Sequence, residues 1–288
     1  MAPAQPTFSD LEASSGRVTR RRRFLFLLDE KIPWDAWAAR VGPHYPKAGN
    51  GRPPVPLGTM LRMYVVQVAF TLSDEGTEDA LWDSAAARAF VGCGDAVPDA
   101  TTLCRFRSLL AANGLGKALF DELNASLASE GLRMSAGTIV DATFGTVHTL
   151  EVTAANVSDL AEAASLVRPG DAGVWADSGY TGVSRWVEGA PAASARWHVA
   201  RRKKSVPEAE RPQESMLASA RSRVEHAFHA LKDVVGLRKT RYKGLSRVSN
   251  QLYAAFALAN CVLASRKPLR LGPPKCAAAL PRAAAAAA

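Results

Sequence analysis

The hydrophobic pattern changes its period near Gly137, and that change constrains the fold more than any other feature of the chain. Before it, apolar residues recur every three to four positions. After it, short β-branched runs alternate with helix-like segments. A chain that switches in this way needs a helical body followed by strands whose faces are covered by helices. The 288 residues are enough for two such bodies, each with its own core.

The helical half runs from Arg20 to about Gly131. In Ile32-Pro33-Trp34 the proline suits the first turn of a helix. A turn-rich stretch from Pro43 to Pro54 follows. Leu57 to Phe70 then reads as an amphipathic helix with Met60, Leu61, Tyr64, Val65 and Val68 on one side. Ser73 and Thr77 resemble helix starts, and Asp99 caps a helix carrying Leu103, Phe106, Leu109 and Leu110. Gly114-Leu115-Gly116 reads as a break before a last helix from Lys117 to Glu130. Arg105 and Arg107 read as surface arginines on a packed helix rather than as the contacts of a helix-turn-helix pair.

After Gly137, strands are expected over 138–143, 146–154, 173–176 and 196–200, with helix-like segments over 158–167 and 182–188. From Ser215 to Val235 there is no Gly or Pro, and Leu217, Val224, Phe228, Leu231 and Val235 recur at helical spacing until Gly236. The expected division is a disordered N-terminus over 1–16, a helical domain over 17–134, an α/β domain over 135–265, and a disordered Ala/Pro tail over 266–288.

Several function classes fall away. Arg20 to Arg23 followed by five apolar residues mimics an export signal, but Asp29 stops the run short of the roughly 7–15 residues required. The weakly polar stretch from Leu252 to Ala264 holds Asn260 and is too short for a spanning helix of roughly 20 residues, so no membrane partner is expected. The 4 cysteines form no C-x-x-C pair, which suits a reducing cytoplasm. His226 and His229 lack further ligands in register for zinc, and His148 and His198 read as structural. No phosphate-binding or dinucleotide glycine motif occurs, and Ser178 lacks the setting of a hydrolase nucleophile.

The net charge of +9 is more telling once located. Residues 201–270 hold 16 Lys/Arg against 5 Asp/Glu, an excess of 11 that leaves the rest of the chain at −2. The bases come in bursts: Arg201, Arg202, Lys203 and Lys204; then Arg221 and Arg223; then Lys232; then Arg238, Lys239, Arg241 and Lys243; then Arg247. A solvated helix would alternate sign. A one-sign tract suits the phosphates of a nucleic acid.

Three carboxylates lie before or within this tract. Asp141 and Asp177 sit at the ends of apolar strands, where open α/β sheets place ligand-binding groups. Glu225 lies on the expected long helix, and a 100° wheel sets it on one stripe with Arg221 and Lys232. Each has a simpler reading alone, a turn-capping aspartate or an i,i+4 Arg221–Glu225 pair. Together the three can hold two Mg²⁺ ions about 4 Å apart for in-line phosphoryl transfer.

Four segments, Gly137–Thr143, Thr153–Asp159, Ala176–Tyr180 and Arg221–Phe228, resemble bacterial DDE transposases of the insertion sequence 5 type. Ile32–Trp34, Pro43–Arg52 and Pro98–Arg107 in the helical half carry the same likeness, which spans about residues 20–255. The resemblance implies an α+β/α/β fold, with an all-helical N-terminal domain before a ribonuclease-H-like catalytic domain. It implies Asp141, Asp177 and Glu225 as catalytic and metal-binding residues, with Mg²⁺ or Mn²⁺. It also implies double-stranded DNA as partner, terminal inverted repeats and target alike, a homo-oligomer on DNA, and a cytoplasmic, nucleoid-associated location.

The family signature around the glutamate is matched at Arg221, Glu225 and Lys232, but Ala218 stands in its tyrosine position. A larger departure follows Phe144. Relatives have a few dozen residues there, including the second strand; here Gly145-Thr146 alone bridges the gap. Ribonuclease-H-like sheets begin up, down, up, and two residues cannot join parallel neighbours. The expectation is a catalytic domain lacking its second strand through an internal deletion. Two rival functions stay open: a non-catalytic DNA-binding remnant or repressor, and a metal-dependent nuclease without strand transfer.

Overall fold

The computed structural model describes residues 18–49, 53–130, 138–139, 146–154, 156–168, 171, 173–188, 190–200, 207–208 and 225–265, with the backbone alone at 138–139, 191–192 and 225–226. The ends expected to be disordered, 1–16 and 266–288, lie outside the described residues, as do Asp141, Arg201 to Lys204, Arg221 and Arg223. Among the described residues the elements run, in chain order, through the α-helices α1 (Arg20–Lys31), α2 (Trp34–Val41), α3 (Leu57–Ala69), α4 (Asp74–Asp83), α5 (Ala85–Val91), α6 (Ala100–Ala112) and α7 (Leu115–Ser129). Then come β1 (Thr138–Ile139), α8 (Asp159–Leu166), β2 (Gly173–Ala176), α9 (Ser184–Val187), β3 (Arg196–Val199), α10 (Glu225–His229) and α11 (Leu245–Ser265).

The chain forms two compact units, Met1–Gly131 with His229–Ser265, and Leu132–Phe228 with Arg266–Ala288. The first is helical, and its starts are written in the sequence. Thr19 Oγ1 accepts from Arg22 N–H, Ser73 Oγ from Gly76 N–H, and Asp99 Oδ1 from Thr102 N–H. Each such cap is worth about 1 kcal/mol. Leu28, Trp37, Met60, Leu61, Leu103, Phe120 and Leu123 are fully buried in its core. Trp37 hands its indole N–H to the Leu119 carbonyl at 3.0 Å, so even its polar edge is satisfied.

α11 belongs to this helical core, although it closes the segment expected as the α/β domain. Ala255, Ala257, Ala259, Asn260 and Cys261 are wholly buried along it, and burial pushes the Cys261 thiol up to about 12. Asn260 donates to Asn124 Oδ1 on α7 at 2.8 Å, which satisfies a polar pair in an apolar setting. Gly116 was expected in a break, but it sits inside α7. A Cβ there would meet Asn250 Oδ1 at 2.4 Å and Asn250 Cα at 2.9 Å, so the glycine serves the close approach of α11. Gly114, with φ of +61°, is the residue that separates α6 from α7.

Among the described residues, the second unit holds a three-stranded sheet of order β1-β2-β3, parallel throughout. β1 pairs Thr138 with Val174 and Ile139 with Trp175; β2 pairs Gly173 with Arg196 through to Ala176 with Val199. β2 is buried along its whole length, as a central parallel strand should be. Ala163 and Val167 of the α8 region, Tyr180, Val183 and Val187 cover Val174 and Ala176. Residues 146–154, expected as a strand, form none. Strand composition does not suffice without a neighbouring edge to pair with, and among the described residues this segment has none.

Candidate active site

β2 delivers Asp177 to the carboxyl end of the sheet. The strand ends at Ala176, whose carbonyl accepts from Ala200 N–H at 2.9 Å, so pairing with the β3 side runs to the last residue. The chain then turns through a short 3-10 segment, Ser178–Tyr180. Asp177 Oδ1 accepts from Gly179 N–H at 2.7 Å, which caps this turn and fixes the carboxylate. A Cβ on Gly179 would lie 2.9 Å from that oxygen, so a side chain there would displace it. Tyr180 enters the core behind the turn and is 4% exposed, while Asp177 stays half-buried at the sheet's edge.

Asp177 is thus both the turn-capping aspartate of the simpler reading and a strand-end carboxylate. The two roles are compatible, since a carboxylate offers about four lone-pair sites and the Gly179 bond uses part of them. Asp141 lies outside the described residues. Glu225 is described by its backbone, as the first residue of α10. Among the described residues no group of three or more His, Cys, Asp or Glu could hold a metal ion.

His198 faces the same strand. It is the register partner of Trp175, and the two rings stack at 5.1 Å with an interplanar angle of 18°. Burial, and then the neighbouring Arg196 charge, hold its pKa below the ordinary histidine value. The ring packs flat against the indole, and the structural reading of His198 fits this contact.

Beyond α10 the expected single helix changes form. Residues Ala230–Val234 make a π-turn, closed by Val235 N–H on the Ala230 carbonyl at 3.0 Å. A π-turn takes more residues per turn than an α-helix, so one 100° wheel does not apply through Lys232. Lys232 is exposed on this turn. Asp233 receives both His229 Nδ1, at 2.6 Å, and the Arg238 guanidinium, at 3.0 Å. His229 therefore has a carboxylate partner within its own helix.

The turn is pinned on its far side. Thr71, at a φ of +51° that is rare for a β-branched residue, donates to the Val235 carbonyl at 2.8 Å. Gly236 follows at φ +80°, a conformation that glycine accepts without strain. From Gly236 to Gly244 the chain has no helix or strand, and Arg238, Lys239, Arg241 and Lys243 are all exposed there. These four cations form one stretch of the first unit, beside a buried Leu237.

Sequence reasoning missed the residue that organises this stretch. Tyr242 is half-buried among exposed bases, and its hydroxyl accepts from Arg107 at 2.6 Å. Arg107 is no surface arginine: its side chain is 15% exposed and forks onto both oxygens of Asp74, at 2.7 and 2.9 Å. The signal that could have found it was Tyr242 itself, a lone aromatic inside a basic run.

Residues 13–109 match the family model described as a transposase domain (DUF772), and residues 132–261 match that of the transposase DDE domain. The chain thus carries transposase domains in both halves, which supports a transposase function and, at the general level, an enzyme of the DDE transposase kind. No solved structure matches the chain. The DDE match runs past Phe228 into residues that pack in the helical unit. Among the described residues, no helix is long and apolar enough to cross a membrane.

Proposed function

We propose that the chain is a metal-dependent transposase of the insertion sequence 5 type, which cuts terminal inverted repeats and joins the freed 3′ ends to target DNA. The observation that carries this reading is the register of β1 on β2, which pairs Ile139 with Trp175 in parallel. Asp141 follows Ile139 by two positions in the sequence, and Asp177 follows Trp175 by two. Carboxylates at the carboxyl ends of neighbouring parallel strands suit a shared cation site. Glu225 is the third carboxylate of the reading, at the start of α10.

The donor set fits its metal: three carboxylates are hard oxygen ligands, which suit Mg²⁺, with Mn²⁺ as a substitute. When bound, such ions stabilise the attacking and leaving oxygens of an in-line displacement. The protein's own part is binding and orientation. Lys232, Arg238, Lys239, Arg241 and Lys243 are exposed, as phosphate contacts must be. Arg201 to Lys204, Arg221 and Arg223 extend the same reading along the sequence. To it also belong a ribonuclease-H-like catalytic domain, expected over 135–265 although α11 packs with the helical unit, a helical domain over 17–134, a homo-oligomer on DNA and a place in the cytoplasmic nucleoid.

A second reading is a non-catalytic DNA-binding remnant or repressor. It is favoured by residues 146–154, which form no strand, and by a sheet whose strands are all parallel among the described residues. An internal deletion after Phe144 accounts for both. The experiment incubates the full chain with Mg²⁺ and DNA carrying the element's terminal repeats. Cleavage that Asp177→Ala abolishes supports the enzyme, and joined products separate a transposase from a simple nuclease. Salt-sensitive binding without cleavage in Mg²⁺ or Mn²⁺ would leave the remnant.

A further inference from the structure

Arg238 to Lys243 is a stretch of like charges with no helix or strand to hold it, between glycines at φ +80° and +89°. Such a segment should be loose, because its cations repel and its backbone lacks a ladder. One aromatic side chain ties it to the helices. The Tyr242 hydroxyl accepts from Arg107 Nη1, and the Arg107 guanidinium carbon lies 4.2 Å from the Tyr242 ring centroid. Arg107 is itself fixed by the bidentate bond to Asp74. Asp74 Oδ1 also accepts from Gln67 Nε2 at 2.7 Å, and Gln67 is 2% exposed. Three helices of the first unit, α3, α4 and α6, therefore converge on one tyrosine of the basic stretch.

This arrangement leaves little of Arg107 for a ligand. Its fork is spent on a carboxylate that neutralises it, and its other partners are the Tyr242 phenol and the Cys104 thiol. Its effect falls on its neighbours. Arg241 and Lys243 flank Tyr242, and both are exposed. With the tyrosine anchored, the two flanking cations are held at a fixed separation along the backbone. The backbone between them is then held before a polyanion arrives, so that part of the entropy otherwise lost on binding does not weaken the complex.

We propose that Arg107 and Asp74 are positioning residues for DNA binding, which hold Tyr242 and through it set Arg241 and Lys243 against the phosphate backbone. The proposal rests on the reading that this stretch contacts DNA, and its test keeps the two apart. The measurement is the affinity of the full chain for a labelled duplex of arbitrary sequence, followed as a function of salt.

Arg241→Ala with Lys243→Ala should lower the magnitude of the salt slope by nearly two, about 0.9 for each phosphate left without its cation. Tyr242→Ala should weaken binding by about tenfold, the equivalent of one hydrogen bond to a charged group. It should add no further loss in the background that lacks Arg241 and Lys243. Tyr242→Phe and Arg107→Lys, which keep the packing and the charge, should show smaller losses with the same silence in that background. They carry the test if Tyr242→Ala melts the fold by circular dichroism. Losses that persist undiminished in the double-alanine background, or tyrosine and arginine variants that bind like the parent, would overturn positioning while leaving the DNA contact standing. An unchanged salt slope in Arg241→Ala with Lys243→Ala would overturn the contact, and the proposal with it.

Discussion

The two units bury side chains of different size. The helical unit closes on Trp37, Phe120, Met60, Leu61 and Met63 of α3, and leucines from α1, α4, α6 and α7. The α/β unit closes on Ala163, Val167, Val174, Ala176, Tyr180, Val183, Val187 and Ala195 around strands of two and four residues. Apolar burial scales with area, at about 25 cal/mol per Å². Among the described residues the first core therefore has more to lose at most positions, and the second has the smaller reserve. The unit with the smaller reserve is the one that presents Asp177.

That contrast can be broken by mutation. Leu123→Ala removes a fully buried leucine of α7 and should cost about 3–5 kcal/mol, against about 1–3 for Val174→Ala at the centre of the sheet. Urea unfolding of the full chain, followed by far-ultraviolet circular dichroism and by tryptophan fluorescence, reads the two changes. Equal losses at the two sites would erase the contrast drawn from side-chain size.

A smaller effect is expected from Gly116→Ala. The new methyl group would press on the Asn250 backbone as well as its amide, so about 1–3 kcal/mol should be lost in the helical unit. The neighbouring Gly114→Ala would strain a left-handed residue instead, with nothing within 4 Å of the new carbon. A Gly116→Ala variant as stable as the parent would show that α7 and α11 can separate without loss.

The smallest effect belongs to pH. His198 titrates below its ordinary value in the folded chain, so on acidification the unfolded chain takes up the proton first. Stability contributed by the neutral ring is present above the ordinary pKa of about 6.5 and is lost as pH falls below it. The midpoint of unfolding should drop between about pH 8 and about pH 5.5, and His198→Phe should flatten that drop. A slope unchanged in His198→Phe would assign the acid sensitivity to other groups.

How much of this was legible beforehand depends on whether the information is local. Helix starts at Ser73 and Asp99 are local chemistry, a side-chain oxygen and an N–H three residues on, and both are found where expected. β2 and Asp177 were equally readable, because a buried parallel strand is a short apolar run that ends at a turn. The destination of α11 was not. Its alanines fit any close helix pair, and Gly116 and Asn124 on a distant segment decide which. Arg107 failed for the same reason, since its partners Asp74 and Tyr242 lie 33 and 135 residues away. The π-turn at Ala230–Val234 was hidden because its residues also fit a regular helix. The segment 146–154 has strand composition without a strand, because β propensity describes a fit to neighbouring strands, and among the described residues none lies beside it.

The place of α11 has a consequence for the order of events during synthesis. The helix that completes the helical core is made last, after the whole of Leu132–Phe228 has left the ribosome. At about 5–20 residues per second, α7 waits for its partner for roughly 7–27 s, with Gly116 and the Asn124 amide uncovered. A nascent chain of this kind is a customer for chaperones during that interval. A frameshift or stop anywhere in the α/β segment would leave the helical unit without its closing helix, so damage to the α/β half cannot spare the half that precedes it.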